Sequence, residues 1–189
     1  NDEIILEPLK IYGDFQLYNL GLAIASVKQT EATNINDALK QNNHVEIALP
    51  GRVQQIKEGK YLEMISFENE LFLDGSHNAD AAFQLNKTLQ NLAQIKDLVI
   101  ILGMINTKEP AGYIKQFNNI KEIKTIAIPN EGSAIPAEVL SSILTEVDVK
   151  VSPAANLEEA LRYLSREHPT ARILICGSLY LAGQVLKNN

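Results

Sequence analysis

Cysteine and histidine are scarce in this sequence. It contains one cysteine, Cys176, and three histidines that are isolated from one another along the chain. A single cysteine cannot form an internal disulfide, which agrees with a reducing compartment. Cys176 also lies in an apolar run with no histidine close to it in sequence, so a role as nucleophile is not favoured. Because zinc sites need several Cys or His ligands at short spacings, the sequence predicts no metal site.

Long hydrophobic runs and an excess of basic residues are missing too. Apolar runs such as Leu98–Leu102 are far shorter than a membrane span, and the N-terminus shows no signal-peptide pattern, so we expect a cytoplasmic protein without membrane contacts. The formal net charge is −6, with Lys and Arg scattered among acidic residues, which argues against nucleic acid as a partner. A small anionic ligand would have to be held locally, and the candidate donors are Arg52, Lys108 and helix N-termini.

The two common nucleotide-binding signatures are absent as well. The chain has neither Gly-x-x-x-x-Gly-Lys-Ser/Thr, whose backbone cradles phosphates, nor Gly-x-Gly-x-x-Gly after its first strand. No set of catalytic residues is therefore complete in this sequence.

The pattern of apolar residues predicts an α/β fold. The chain has 189 residues, of which 46% are hydrophobic, and this is enough for one domain or two small ones with a substantial core. From Tyr61 onward, short apolar runs alternate with segments of helical periodicity, which is typical of a mainly parallel sheet with flanking helices, a Rossmann-like arrangement. The predicted strands are Tyr61–Phe67, Leu71–Leu73, Leu98–Leu102, Ile123–Ile128, Val149–Val151 and Arg172–Cys176. The predicted helices are Ala82–Leu92, Tyr113–Phe117, Leu140–Val147, Leu157–Leu164 and Leu179–Lys187.

The first part of the chain follows a different pattern. Its predicted elements are an extended segment at Ile4–Tyr12, a helical segment at Ile35–Leu39 and, between them, a helix with apolar positions Leu17, Leu20, Ile24 and Val27. Pro50 and Gly51 then interrupt any helix, so we place a domain boundary between residues 47 and 48. One strand and two helices expose too much apolar surface to be stable alone. We therefore expect residues 1–47 to be the end of a larger domain whose earlier part is absent from this chain.

Four polar clusters fall at the ends of predicted elements, where open α/β sheets bind ligands. They are Gly13–Asn19, Pro50–Arg52, Asp74–Asn78 and Cys176–Tyr180. Gln16 and Asn19 lie on one helical turn, and their amides could bind a purine through hydrogen bonds. Arg52 suits a phosphate because its guanidinium donates two parallel hydrogen bonds. Ser178 and the first free N–H groups of a helix could bind a carboxylate.

Each cluster also has a purely structural interpretation. Gln16 and Asn19 can face solvent, and Arg52 can belong to a surface ion pair. Ser178 can be only a helix N-cap. The Asp74–Asn78 turn can be a plain strand-to-helix connection, in which Gly supplies backbone freedom and Asn or Ser caps the helix. Both interpretations stay open for each cluster.

Taken in order, the polar clusters resemble the motifs of folylpolyglutamate synthase and its bifunctional relative dihydrofolate synthase, in the Mur ligase superfamily. The family pattern is Gly-x-His-Gln-x-x-Asn, Pro-Gly-Arg, Asp-Gly-Ala-His-Asn, a Gly followed by an Asp-Lys-Asp-like segment, and Gly-Ser-Leu-Tyr. The corresponding residues are Gly13–Asn19, Pro50–Arg52, Asp74–Asn78, Gly103 with Asn106–Glu109, and Gly177–Tyr180. The resemblance covers the whole chain, but only the end of the family's central ATPase domain and its C-terminal domain.

The resemblance implies an ATP-dependent ligase that requires Mg²⁺. The γ-phosphate passes to a folate or dihydropteroate carboxylate, and the amino group of L-glutamate attacks the acyl phosphate. Carried over by position, the ATP-binding residues are Asn19, Arg52 and Asp74, the glutamate-binding residues are His77 and Ser178, and the supporting residues are Gln16 and Lys108. The family's P-loop and magnesium ligands have no counterpart here, so this chain alone is not expected to turn over ATP.

The chain departs from the family pattern at several positions. Phe15 stands in place of His, Ser76 stands in place of Ala, and Asn106 replaces an acidic residue near Lys108. Two other functions are compatible with the sequence: a non-catalytic module that binds a nucleotide or an amino acid, and a Mur-type ligase acting on a peptidoglycan precursor. Since the family is generally monomeric, we expect a monomer.

Overall fold

The computed structural model describes residues 15–30 and 49–189, and the chain divides into two units after Pro50. In the first unit, helix α1 spans Phe15–Gln29 and carries all four of the apolar positions that predicted it. The predicted segments Ile4–Tyr12 and Ile35–Leu39 lie outside the described residues. That the first unit is the end of an ATPase domain stays a prediction.

The second unit is built on a six-stranded sheet with the order β1-β2-β6-β3-β4-β5. The strands are β1 Gln54–Ile56, β2 Glu70–Leu73, β3 Leu98–Leu102, β4 Ile120–Thr125, β5 Lys150–Pro153 and β6 Arg172–Cys176. Strand β1 pairs antiparallel with β2, and every other pairing is parallel. The predicted mainly parallel α/β sheet is therefore confirmed.

Helices cover both faces of this sheet. They are α2 Lys60–Glu63, α3 Ala79–Gln90, α4 Pro110–Ile114, α5 Ala137–Ile143, α6 Leu157–Glu167 and α7 Leu179–Asn188. Helices α3, α4 and α5 pack with Ile100 and Leu102 on one face, whereas α2, α6 and α7 pack with Val99 and Ile101 on the other. Residues adjacent along β3 thus point to opposite layers. No helix within residues 15–30 and 49–189 is long and apolar enough to cross a bilayer.

The continuous apolar runs form the centre of the sheet because both of its faces are covered. All residues of β3 and β6 are buried, which is the pattern of strands in parallel sheets. These two strands have the predicted bounds Leu98–Leu102 and Arg172–Cys176. At about 25 cal/mol per Å² of buried apolar surface, such runs supply most of the driving force for folding.

The predicted strand Tyr61–Phe67 is wrong. The chain instead forms the short helix α2 and a turn, and the sheet edge is made by β1, a strand too short and polar to have been predicted. The side chain of Asn189 accepts a hydrogen bond from Tyr61 N–H at 3.1 Å and so occupies a free donor at the start of α2. Tyr61 itself is buried in the core. One helical turn therefore replaces the predicted strand, and of its apolar residues Tyr61 is buried whereas Phe67 is exposed.

Two other strands have shifted bounds. β4 spans Ile120–Thr125 rather than Ile123–Ile128, because Ile126 and Ile128 are buried beyond the end of the ladder. β5 spans Lys150–Pro153 rather than Val149–Val151. β4 starts before the apolar run that was used to predict it, and β5 continues beyond its apolar run, through Ser152 and Pro153.

The order of the strands creates a crevice at the carboxyl ends of β2 and β6. These strands are neighbours in the sheet, but α3 follows β2 on one face and α7 follows β6 on the other. The two connections therefore leave the sheet in opposite directions. Such a topological switch point is where open α/β sheets bind ligands.

Candidate functional site at the carboxyl ends of the strands

The turn that carries Arg52 has a constrained backbone. Gly51 has φ 69° and Val53 has φ 44°, both in the left-handed region, which is unusual for a β-branched residue such as valine. Val53 N–H donates to Asp74 Oδ2 at 2.8 Å, and Gly51 N–H donates to Gln54 Oε1 at 2.8 Å. Arg52 is half-buried and makes no hydrogen bond or ion pair with any residue in the described ranges. A fixed turn thus presents a guanidinium whose donors are unused.

Asp74 fastens this turn to the end of β2. Its side chain is buried, Oδ2 accepts from Val53 N–H, and Oδ1 accepts from Ser76 N–H at 2.7 Å. Each carboxylate oxygen has two lone pairs, so one acceptor position on each remains. The carboxylate therefore holds two backbone segments and keeps some capacity to accept from a ligand.

The turn after β2 carries His77, which is half-buried. The ring Nδ1 lies 3.1 Å from the carbonyl oxygen of Gly75, and the hydrogen bond requires the proton on Nδ1. This tautomer leaves the lone pair of Nε2 free. Asn78 is the N-cap of α3, and its Oδ1 accepts from Ala81 N–H at 2.9 Å. The structural interpretation of this turn is therefore correct for Asn78, while His77 has a free nitrogen.

The turn after β6 lies directly beside the previous one. Gly177 has φ 105°, and a Cβ at this position would lie 2.7 Å from the carbonyl oxygen of Gly103, so only glycine fits. Ser178 is the N-cap of α7, and its Oγ accepts from Tyr180 N–H at 3.1 Å. The hydroxyl group still has a proton to donate. A capping role and a ligand-binding role are thus compatible for Ser178.

Backbone hydrogen bonds join the turns. Gly75 N–H donates to Gly51 C=O at 2.8 Å, Gly177 N–H donates to Ser76 C=O at 3.1 Å, and Gly103 N–H donates to Cys176 C=O at 3.1 Å. The structure therefore brings together the segments that carry the predicted residues Arg52, Asp74, His77 and Ser178. The sequence motifs alone could not show that these segments are hydrogen-bonded to one another.

The remaining predicted residues are placed as follows. Lys108 is half-buried in the segment after β3, and its side chain makes no hydrogen bond or ion pair within residues 15–30 and 49–189. Gln16 and Asn19 belong to the first unit, where Asn19 Nδ2 donates to Gln16 Oε1 at 3.1 Å. Gln16 is buried and Asn19 is exposed, so the solvent-facing interpretation is wrong for Gln16.

One residue of this region was not predicted from the sequence as part of a site. Tyr113 is fully buried on α4, and its hydroxyl lies 2.8 Å from Ser76 Oγ. Burial raises the pKa of Tyr113 well above its ordinary value, so the hydroxyl stays protonated.

Burial also raises the pKa of the Cys176 thiol, which agrees with an unreactive cysteine. Within the described part of the chain, no group of three or more His, Cys, Asp or Glu side chains could hold a metal ion.

Comparison with known proteins links this geometry to a family. Residues 58–188 match the family described as dihydrofolate synthetase, C-terminal domain. The dihydrofolate synthetase of Saccharomyces cerevisiae is 25% identical over an alignment 200 residues long, which covers 96% of this chain and 45% of the yeast protein. The chain therefore spans about half the length of that relative.

Solved structures share the fold. The Mycobacterium tuberculosis folylpolyglutamate synthase complexed with ADP and AMPPCP superposes with a TM-score of 0.76 at 22% identity, covering 95% of this chain and 41% of that protein. A bifunctional folylpolyglutamate synthase/dihydrofolate synthase with Mn, AMPPNP and L-glutamate bound superposes with a TM-score of 0.70 at 26% identity, covering 98% and 42%. Since the family match includes most of the chain, this protein belongs to the dihydrofolate synthetase C-terminal domain family.

Proposed function

We propose that this chain is the C-terminal part of an ATP-dependent ligase that adds L-glutamate to the carboxylate of a folate or dihydropteroate through an acyl phosphate. The observation that carries the proposal is the cluster of hydrogen-bonded turns at the switch point, with an unpaired Arg52 on one turn and a free His77 nitrogen on the next. Membership of the dihydrofolate synthetase family supports the same conclusion.

Arg52 is the proposed phosphate ligand. A planar guanidinium donates bidentate hydrogen bonds to phosphate oxygens, and it stabilises the negative charge of a transferring phosphoryl group. The Asp74–Val53 hydrogen bond holds the turn in place, so little ordering is needed when the nucleotide binds. We assign Asp74 a second role as a direct acceptor from ATP, and Asn19, with Gln16 as its support, a role near the adenine.

His77 and Ser178 are the proposed glutamate ligands. The Ser178 hydroxyl and the free N–H groups at the start of α7 would donate to a glutamate carboxylate. The free Nε2 of His77 would accept from the glutamate ammonium group. An amine nucleophile needs positioning beside the acyl phosphate more than it needs activation, and holding both ends of glutamate supplies that positioning.

The proposed partners are ATP, L-glutamate and a pterin carboxylic acid. A related structure holds Mn with AMPPNP, which supports a divalent cation such as Mg²⁺ beside ATP in this protein. We assign no described residue to the cation, and Lys108 a supporting role near the phosphates. Since the net charge is −6, we further propose that the protein does not bind nucleic acid. We also propose a cytoplasmic monomer that does not bind membranes, which the family resemblance supports.

A direct assay tests this function. The complete protein, including any residues that its reading frame places before Asn1, would be incubated with ATP, Mg²⁺ and L-glutamate, and with dihydropteroate in one arm and tetrahydrofolate in the other. We expect a glutamylated product by mass spectrometry, with one ADP and one phosphate formed per amide bond. Binding of ATP or glutamate without turnover in either arm would favour the non-catalytic module and contradict the proposal.

A further inference from the structure

Tyr113 connects a distant helix to the turn that carries His77. Its side chain is fully buried, and its ring contacts the Phe117 ring edge-on with centroids 5.4 Å apart. The ring therefore cannot change its orientation without disturbing the core. Its hydroxyl lies 2.8 Å from Ser76 Oγ, and both residues are buried.

Ser76 is held by three different parts of the fold. Its N–H donates to Asp74 Oδ1 at 2.7 Å, its carbonyl accepts from Gly177 N–H at 3.1 Å, and its hydroxyl meets Tyr113 on α4. The bond to Asp74 is local and the bond to Gly177 comes from the turn after β6. Of these three bonds, the one to Tyr113 connects Ser76 to α4 in the packed layer of helices behind the turn.

His77 follows Ser76 directly, so the orientation of its ring depends on how firmly Ser76 is held. We propose that Tyr113 is a positioning residue that fixes the Asp74–Asn78 turn through Ser76 and thereby presents His77 to the incoming amino acid. The identity of that amino acid as glutamate rests on the proposed function. Tyr113 touches no ligand in this account, because its hydroxyl is enclosed in the core.

A double-mutant cycle on the complete protein tests the inference. The variants are Tyr113→Phe, Ser76→Ala and the two combined. Each removes the same hydrogen bond, so we expect KM for glutamate to rise about fivefold in all three, which is the size of one net hydrogen bond, and KM for ATP to change less than twofold. Tyr113→Phe leaves the buried Ser76 hydroxyl without its partner, whereas the Tyr113 hydroxyl that remains in Ser76→Ala still has the Cys176 thiol beside it. The double variant removes both hydroxyls and should therefore melt at a higher temperature than Tyr113→Phe.

Thr125→Val is the matched control. Thr125 is also fully buried, and its hydroxyl donates to the Ala137 carbonyl at 2.7 Å. This hydrogen bond involves no residue of the Asp74–Asn78 turn. We expect this variant to lower the melting temperature without changing KM for glutamate. Three results would overturn the inference: an unchanged KM for glutamate in Tyr113→Phe, an equal rise in Thr125→Val, or recovery of the wild-type KM in the double variant.

Hydrogen exchange separates this inference from the proposed function. If the wild-type protein forms no glutamylated product, the proposed function fails, but exchange in the peptide covering residues 74–82 still reports on the turn. Faster exchange in Tyr113→Phe and Ser76→Ala, but not in Thr125→Val, would support the positioning role. Exchange at the wild-type rate in all three variants would refute it.

Discussion

Charged side chains are paired differently at the two edges of the sheet, which are the carboxyl ends and the amino ends of its parallel strands. At the carboxyl ends of the strands, Arg52 and Lys108 have no hydrogen bond or ion pair to any described residue. At the amino ends, Arg172 uses its guanidinium fully, donating to Glu70 Oε2 at 2.8 Å and to the carbonyls of Leu89 and Gln94. The unpaired donors of Arg52 and Lys108 agree with the proposal that this end of the sheet binds ligands.

Polar side chains at the amino edge form closed networks. Asn69 Nδ2 donates to the carbonyls of His168 and Ala171 at 2.9 Å each, and Ser165 Oγ donates to Asn69 Oδ1 at 2.7 Å. An open groove of about 990 Å³ lies at this edge, but Lys96 on its wall already donates to the carbonyl of Glu68. Under the proposed function the ligands bind not in this groove but at the opposite ends of the strands, where Arg52 and Lys108 have unpaired donors.

The largest expected effect is loss of stability from Arg172→Ala at the amino edge. The change removes the ion-pair partner of Glu70 and a donor to the carbonyls of Leu89 and Gln94, and we expect it to lower the free energy of unfolding by about 3 kcal/mol. Chemical denaturation of the complete protein measures this. Activity per folded molecule should stay at the wild-type level, and a selective loss of ligase activity would contradict the division between the edges.

Arg52→Ala should lower activity and leave stability nearly unchanged. Because the Arg52 side chain makes no hydrogen bond or ion pair with any described residue, stability should change by less than about 0.5 kcal/mol. Loss of a donor to the transferring phosphoryl group should lower kcat/KM for ATP about 100-fold. Arg162, an exposed arginine on α6, supplies the control, since Arg162→Ala should alter neither quantity. Equal values of kcat/KM for ATP in the two variants would show that Arg52 does not bind the phosphates.

Glu122→Gln tests a buried carboxylate at the amino edge. Its Oε1 lies 3.0 Å from Lys150 Nζ and its Oε2 lies 3.1 Å from His168 Nε2. Burial by itself would raise the pKa of Glu122, but the hydrogen bonds and charges of Lys150 and His168 outweigh it and hold the pKa below its ordinary value. We expect the substitution to lower the free energy of unfolding by about 2 kcal/mol at pH 7, with wild-type kcat.

The same residue gives stability a defined pH dependence. Because the folded pKa of Glu122 is below the unfolded one, its contribution is complete above the unfolded pKa, about 4.3, and is lost as the pH falls through the folded pKa. Denaturation curves of wild type and Glu122→Gln should therefore converge at acid pH. A gap that stays constant down to pH 2 would mean that the ion pairs do not stabilise the fold.

Two helix N-caps give the smallest and most closely matched comparison. Ser178 caps α7 in the candidate site, and Asn156 caps α6 by accepting from Glu159 N–H at 2.9 Å. Either change to alanine should cost about 1 kcal/mol of stability. Only Ser178→Ala should also raise KM for glutamate, by about tenfold. Identical kinetics would show that Ser178 is a cap and nothing more.

Much of the fold could be predicted because its central strands are continuous apolar runs. β2, β3 and β6 carry their own signal, since burial on both faces leaves few polar residues in them. The edge strand β1 carries none, because two of its three residues are glutamine. Helix α2 depends on Asn189, which is far away in sequence, so no local pattern could distinguish it from a strand.

The candidate site could be predicted in part for a similar reason. Arg52, His77 and Ser178 stand in recognisable motifs next to glycines that need positive φ or a close approach. The bond between Tyr113 and Ser76 joins residues 37 positions apart through tertiary packing alone. The bond from Val53 N–H to Asp74 also forms only when the turn after Pro50 folds back onto β2, whereas the bond from Ser76 N–H is local.

The central claim is that the carboxyl edge of the sheet binds both ATP and glutamate. The most direct measurement is a crystal structure of the complete protein with a non-hydrolysable ATP analogue, Mg²⁺ and L-glutamate. We predict the Arg52 guanidinium within hydrogen-bonding distance of the phosphates, and His77 Nε2 and Ser178 Oγ within hydrogen-bonding distance of glutamate. Ligands bound at the amino edge, or at the carboxyl edge without contacts to these three side chains, would contradict the account.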